Sequence, residues 1–261
     1  MKIFRDDGYL DMGAIMAAGY PFTLVCGGRG TGKTFTALYE TINNNIQFML
    51  MRRMQTQVDM INKPEFSPFK AYERVFGWHI GLEKISKNNS AIYRQEPCDD
   101  GYKCVGAPIG YTAALATISN MRGFDASDVR RVIFDEFIPE KHERPIKNEA
   151  AAIYNAYETI NRNRELDGEK PLQMVFLANS NRLDNPLFME LRLVTRAERM
   201  LKPDSTSGQM TSAASCLSCS TIRRSARRRN RHPFTSSPAA ATMRQWPCAM
   251  TSTRRIQDRS E

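Results

Sequence analysis

Gly27-Gly28-Arg29-Gly30-Thr31-Gly32-Lys33-Thr34 fits the pattern G-x-x-x-x-G-K-[ST] at every fixed position. Glycines let a chain curl so that successive N–H groups point inward at phosphate oxygens, where a Cβ would stand in the way. A helix starting at the end of the turn adds partial positive charge. The chemistry expected is triphosphate binding. Lys33 would reach the β- and γ-phosphates, and the Thr34 hydroxyl would ligate Mg²⁺. A glycine-rich turn can match this pattern by chance, so its flanks matter. Phe22-Thr23-Leu24-Val25-Cys26 before it is a short apolar run suited to a buried strand, and Thr34 to Ile42 after it suits a helix.

About 100 residues later, Val132-Ile133-Phe134 runs into Asp135-Glu136. A buried strand ending in an acid sets a carboxylate at the carboxyl edge of a parallel sheet, beside such a loop. Asp135 would then join the Mg²⁺ shell, and Glu136 would orient and deprotonate the attacking water. Alone, an apolar run ending in acids is a weak signal, since many strands end in acids that face solvent. Behind a complete phosphate loop it points to magnesium-assisted hydrolysis of ATP.

These residues need a frame. Further strands are expected at Phe48-Met49-Leu50-Met51, Arg131-Val132-Ile133-Phe134 and Leu172 to Leu177. Ala91-Ile92-Tyr93-Arg94 and Tyr102-Lys103-Cys104-Val105 flank Asp99-Asp100-Gly101 as a hairpin. A helix is expected from Asn148 through Asn161, with Ala151, Ala152, Tyr154, Ala156 and Ile160 at helical intervals. Strands alternating with helices favour an α/β fold with a mainly parallel central sheet. Trp78 and its aromatic neighbours are expected to pack between the second strand and the hairpin.

The chain of 261 residues is 41% hydrophobic, enough for a core, and carries a net charge of +9. Residues 1–202 are nearly balanced, with 27 basic against 25 acidic residues, whereas 203–261 hold ten arginines, no lysine and three acids. Past Lys202-Pro203 the composition turns to Ser, Thr, Ala and Arg, with apolar residues too sparse to cover a core. The expected organisation is an ATPase domain over 1–200 and a basic tail over 201–261, disordered or read out of frame. No run approaches the ~18 apolar residues of a membrane span, and acids at Asp6-Asp7 fall where a secretory signal would be apolar. A cytosolic protein without a membrane partner is expected. The six cysteines are scattered, and Cys216 and Cys219 lack the second pair that zinc needs. His79, His142 and His232 show no spacing that suggests a metal site or catalytic dyad.

Read in order, the phosphate loop, Met51-Arg52-Arg53, Ile133-Phe134-Asp135-Glu136-Phe137-Ile138-Pro139-Glu140-Lys141, Asn148-Glu149-Ala150, Asn161-Arg162-Asn163-Arg164-Glu165 and Leu177-Ala178-Asn179-Ser180-Asn181 form a series. Over about residues 20–195 it resembles the DNA-encapsidation (packaging) ATPases of small podoviruses, relatives of the terminase large subunits. The resemblance implies a P-loop NTPase of the ASCE type, with an added strand between loop and carboxylates. It implies a homomeric ring in the host cytoplasm, transiently at the portal of a phage prohead, that pulls in double-stranded DNA using ATP and Mg²⁺. Arg162 carries over as the finger completing a neighbour's site, a role that suits an ever-charged, bidentate guanidinium. Without the resemblance, Arg162 and Arg164 read as basic residues at a helix end. Arg122 and Arg164 are further trans-acting candidates, Asn179 is a candidate γ-phosphate sensor or a strand-capping amide, and Arg29 would touch phosphate or a loop carboxylate. The family continues into a nuclease-like domain, whose pattern is not visible in 203–261. Two other readings stay open: another DNA-directed P-loop ATPase, of helicase or partition type, and a non-catalytic nucleotide-binding fragment.

Overall fold

The computed structural model describes residues 5–6, 8–121, 124–140, 143, 145–162, 164–179 and 185–200, together with the strand segments 208–209 and 215–220. The chain divides into a unit spanning Met1–Arg223 and a second spanning Arg224–Glu261. The second lies outside the described residues.

The short helix α1 (Met12–Met16), capped by the Asp11 carboxylate accepting from Ala14 N at 2.9 Å, leads into strand β1 (Phe22–Gly27). Helix α2 (Lys33–Asn43) follows the glycine loop, and β2 (Phe48–Arg52) follows α2. Helices α3 (Gln55–Ile61) and α4 (Lys70–Phe76) lead to the meander β3 (Ile80–Lys84), β4 (Ser90–Cys98) and β5 (Gly101–Ala114). Then come β6 (Arg131–Asp135), α5 (Glu149–Asn161), β7 (Gln173–Ala178), α6 (Pro186–Glu190) and α7 (Val194–Met200). Two strands close the series, β8 (Gly208–Gln209) and β9 (Ser215–Ser220).

One sheet joins the strands in the order β3-β4-β5-β2-β6-β7-β1-β9-β8. Pairing is parallel from β5 through β2, β6, β7 and β1 to β9, and antiparallel at both flanks. Parallel strands covered on both faces read as continuous apolar runs, and every residue of β1, β6 and β7 is buried. Leu24, Met49, Val132, Phe134, Met174 and Phe176 are within one core cluster, into which α5 inserts Ile153, Ala156 and Ile160.

β7 lies between β1 and β6. Its register pairs Ala178 with Cys26 on one side and Leu177 with Asp135 on the other. Met51 of β2 in turn pairs with Phe134. The carboxyl ends of β1, β7, β6 and β2 are therefore level to about one residue, and strand spacing puts the ends of β1 and β6 ~10 Å apart.

Three features depart from the sequence reading. The hairpin is longer than expected and gains a third strand, β3, while the second half of β5 crosses to pair parallel with β2 from Gly110 to Ala114. At Gly110 the strands close so tightly that a Cβ would lie 2.7 Å from the Phe48 carbonyl. Trp78 stacks on Tyr39 of α2, with centroids 5.7 Å apart, and beneath Arg94 of β4, so the aromatic cluster also ties in the helix that follows the glycine loop. Finally, Ser215–Ser220 forms a strand beside β1 within the stretch expected to be irregular. Strand pairing uses backbone groups and needs no apolar side chain. Apart from β8 and β9, residues 201–261 lie outside the described residues. Among the described residues, no helix is long and apolar enough to cross a membrane.

Candidate nucleotide site

The loop between β1 and α2 turns on two glycines in the left-handed region, Gly30 at φ +79° and Gly32 at φ +76°. L side chains rarely adopt this conformation. At Gly32 there is a second constraint: a Cβ would meet the Tyr9 ring at 2.6 Å. The chain before α1 is laced to the loop by Leu10 N donating to Thr31 O at 3.1 Å. Lys33 opens α2 and is 5% exposed. Its Nζ donates to Gly27 O at 3.0 Å, Gly28 O at 2.8 Å and Thr31 Oγ1 at 3.2 Å, so the ammonium sits at the centre of the curl. Burial lowers its pKa to about 8, and the nearby Asp135 charge pulls the other way.

Thr34, the next residue of α2, donates its hydroxyl to Asp135 Oδ1 at 2.9 Å, joining residues 101 apart in sequence. Asp135 is buried at the end of β6, and its Oδ1 also accepts from Glu136 N at 3.1 Å. Glu136 takes a positive φ of +57°, which swings its half-exposed carboxylate off the strand line. A hydroxyl and a carboxylate side by side are the hard oxygen donors that Mg²⁺ takes. The glycines leave the space that a phosphate-binding loop requires. These residues fit a Mg²⁺–nucleotide.

The main participant that the sequence did not single out is Arg52, the last residue of β2. Its Nη2 lies 2.9 Å from Asp135 Oδ2 and its Nη1 lies 2.5 Å from Glu136 Oε2, so one guanidinium spans both acids. It is 12% exposed. The next residue, Arg53, is fully buried and forms a forked pair with the buried Glu149 at the start of α5, Nε–Oε1 at 2.7 Å and Nη2–Oε2 at 3.2 Å. Arg53 Nη1 also reaches Glu143, which accepts in addition from Glu140 N and Gln57. Arg29 of the glycine loop pairs with Glu140 at 2.5 Å. The segment that follows the acids is thus held to the glycine loop at one point and to β2 at another.

Asn179 is the exposed residue directly after β7. Register places it one residue beyond the partner of Cys26 and two beyond the partner of Asp135, on the strand between β1 and β6.

The arginines near the end of α5 are elsewhere. α5 has 13 residues, so it spans about 20 Å. It begins at Glu149, paired with Arg53 just after the carboxyl end of β2, and its last residue, Asn161, accepts from Leu172 N just before β7. There Arg162, at φ +50°, donates to Asp125 Oδ1 at 2.9 Å and Phe124 O at 3.0 Å and is half-exposed. Arg164 differs from the expectation of a trans-acting group. It is buried and donates to Ser127 O at 2.9 Å and Ala126 O at 3.3 Å, a seat that ties its guanidinium to its own chain. Burial, followed by the like charge of Arg130, lowers its pKa. Arg122 lies outside the described residues.

The family described as Podovirus DNA encapsidation protein (Gp16) matches residues 103–207, a stretch that holds the acids, α5, its closing arginines and Asn179. The DNA packaging proteins of Bacillus phages phi29 and PZA are each 26% identical over 175 residues, covering 65% of this chain and 46% of theirs. The chain is similar to the podovirus DNA encapsidation proteins over this stretch. It spans about half the length of the curated relatives it matches. Among solved structures, the phi-28 gp11 DNA packaging motor matches with a TM-score of 0.63 at 22% identity, over 84% of this chain and 62% of that one. The N-terminal domain of the DNA packaging ATPase from bacteriophage phi29 matches with a TM-score of 0.59 at 20% identity, over 81% of this chain and 95% of that one. Such similarity establishes that this chain shares their fold.

Proposed function

We propose that this chain is the ATP-hydrolysing part of a motor that moves double-stranded DNA into a phage prohead, working in the host cytoplasm as a homomeric ring at the portal. The observation that carries the enzymatic part is the Thr34 hydroxyl meeting the Asp135 carboxylate at 2.9 Å beneath a glycine loop with Lys33 at its centre. β7 between the loop strand and the acid strand supports the ASCE class of P-loop ATPases. In this reading residues 1–200 form the ATPase domain and 201–261 a basic tail.

The residues divide the work by position. The backbone N–H groups from Gly27 to Thr34 hold the triphosphate, and Lys33 exchanges its carbonyl partners for phosphate oxygens of ATP. Thr34 and Asp135 would hold Mg²⁺, which would supply charge neutralisation at the phosphates. Glu136, turned outward by its positive φ, accepts the proton of the attacking water. Asn179 senses the γ-phosphate from between loop and acids. Arg162, about 20 Å along α5 from the Arg53–Glu149 pair at the helix start, serves a neighbour's site. The names of the similar proteins, DNA packaging proteins and motors, support DNA as the substrate moved.

ATP hydrolysis by wild type, Glu136→Gln and Arg162→Ala, singly and mixed, tests this. Each single variant is expected to lose at least a hundredfold in kcat, in keeping with the roughly 10³–10⁵ value of an arginine finger. An equal mixture of the two is expected to regain activity, because an intact finger then meets an intact site. Packaging of DNA into empty proheads, weakening as salt rises, tests the motor itself. Failure to bind ATP with magnesium would sink the proposal.

A further inference from the structure

Resting on that reading of Arg162, the geometry points to Asp125 as the positioning residue that presents this arginine to the neighbouring subunit. An arginine with several freely rotating bonds loses much entropy when fixed at a site. A finger that acts across an interface therefore gains from being aimed before the partner arrives. Here the aim is set from one short segment. Asp125 Oδ1 takes Arg162 Nη1 at 2.9 Å, and the Phe124 carbonyl takes Nη2 at 3.0 Å. Two of the five N–H groups are used, which leaves Nε and the rest of the fork for phosphate oxygens.

The segment itself is fixed. Asp125 Oδ1 also accepts from Ser127 N at 3.0 Å, closing a local turn that holds the carboxylate in place. This contact and then the Arg162 charge hold the Asp125 carboxyl below its ordinary range. One and two residues on, Ala126 O and Ser127 O accept from the buried Arg164, which anchors the same turn. One arginine of the Arg162-Asn163-Arg164 run is thus the anchor of the seat and the other its load. Asp125 is 73% exposed and Arg162 45% exposed, so the pair stands at the surface, where a second copy of this chain can meet it. An ion pair this exposed contributes little to folding. Its role is geometric.

The test is steady-state ATP hydrolysis by full-length Asp125→Ala and Asp125→Asn, each checked by thermal unfolding. Asp125→Ala is expected to lose roughly tenfold to a hundredfold in kcat with KM nearly unchanged, the scale of a misplaced catalytic group. Asp125→Asn, which keeps an acceptor, is expected to fall between it and wild type. Mixed with Glu136→Gln, whose finger and seat are intact, Asp125→Ala is expected to recover; mixed with Arg162→Ala it is expected to stay low. A wild-type rate for Asp125→Ala would overturn the inference. So would a low rate that Glu136→Gln fails to raise while the mixture of Glu136→Gln and Arg162→Ala is active. Should Arg162→Ala itself hydrolyse ATP normally, the trans-acting finger falls and the seat with it.

Discussion

Lys33 carries a pH signature that follows from its burial. With its pKa lowered to about 8, the ammonium is mostly charged at pH 7 and mostly neutral at pH 9 in the free protein. Triphosphate binding favours the charged form. ATP affinity is therefore expected to be flat below about pH 8 and to weaken by up to about tenfold per pH unit above it. The stability of the free protein should move the other way. The unfolded lysine holds its proton up to about 10.5 and the folded one only to about 8, so this group's destabilising contribution is full below pH 8 and declines as pH rises between those values. Calorimetric ATP titrations from pH 6.5 to 9.5 check the first statement, and a profile flat through pH 9 would contradict it. Arg52 makes a second prediction at this scale. Because it bridges Asp135 and Glu136, Arg52→Gln leaves two adjacent carboxylates without their shared counter-charge. ATP affinity is expected to change by only a few-fold, while kcat falls roughly tenfold to a hundredfold as the acids lose their alignment. Equilibrium binding and steady-state rates separate the two.

Between elements, the buried fork of Arg53 and Glu149 ties the end of β2 to the first turn of α5. Arg53→Ala strands a carboxylate that is only 2% exposed and is expected to cost about 3–5 kcal/mol. Arg53→Met combined with Glu149→Leu removes both charges while keeping volume, and is expected to recover most of that loss. Urea midpoints of the single and double variants decide it. Neither this pair nor the Arg52 bridge was legible in the sequence. Two arginines end an apolar run and their partners lie 83 to 96 positions away, with no period or spacing to join them. What was legible had a local cause. β1, β6 and β7 read as strands because each is an apolar run buried on both faces, and the glycine loop read as a loop because its residue types are set by backbone curl. β3 escaped because Ile80–Lys84 at the sheet margin mixes glycine and charges with apolar residues. The second half of β5 escaped because its strand partner, β2, is distant in sequence and its Gly and Ala residues carry little strand signal.

At the scale of the whole molecule, the decisive dimension is the length of α5. A helix of 13 residues sets Arg162 about 20 Å from the Arg53–Glu149 pair at which the helix begins, farther than an arginine side chain extends. The sheet fixes both ends, since α5 packs Ile153, Ala156 and Ile160 into the core, so no hinge within the helix can shorten the gap. On the proposed reading, a lone subunit holds the glycine loop, Thr34 with Asp135, and Glu136, while its own Arg162 is engaged at the far end of α5 by Asp125 and Phe124. Its expected behaviour is ATP binding at any concentration with hydrolysis only where chains meet. The rate per chain should rise with protein concentration, starting near zero in dilute solution and levelling off once association is complete, while the ATP dissociation constant stays constant throughout. Arg162→Ala should abolish the rise without altering association measured by light scattering. Stopped-flow phosphate release across a hundredfold range of protein concentration reads this directly. A rate per chain that is constant from the most dilute sample upward would mean that one subunit completes its own site, and the geometry of α5 would then have to be explained without a neighbour.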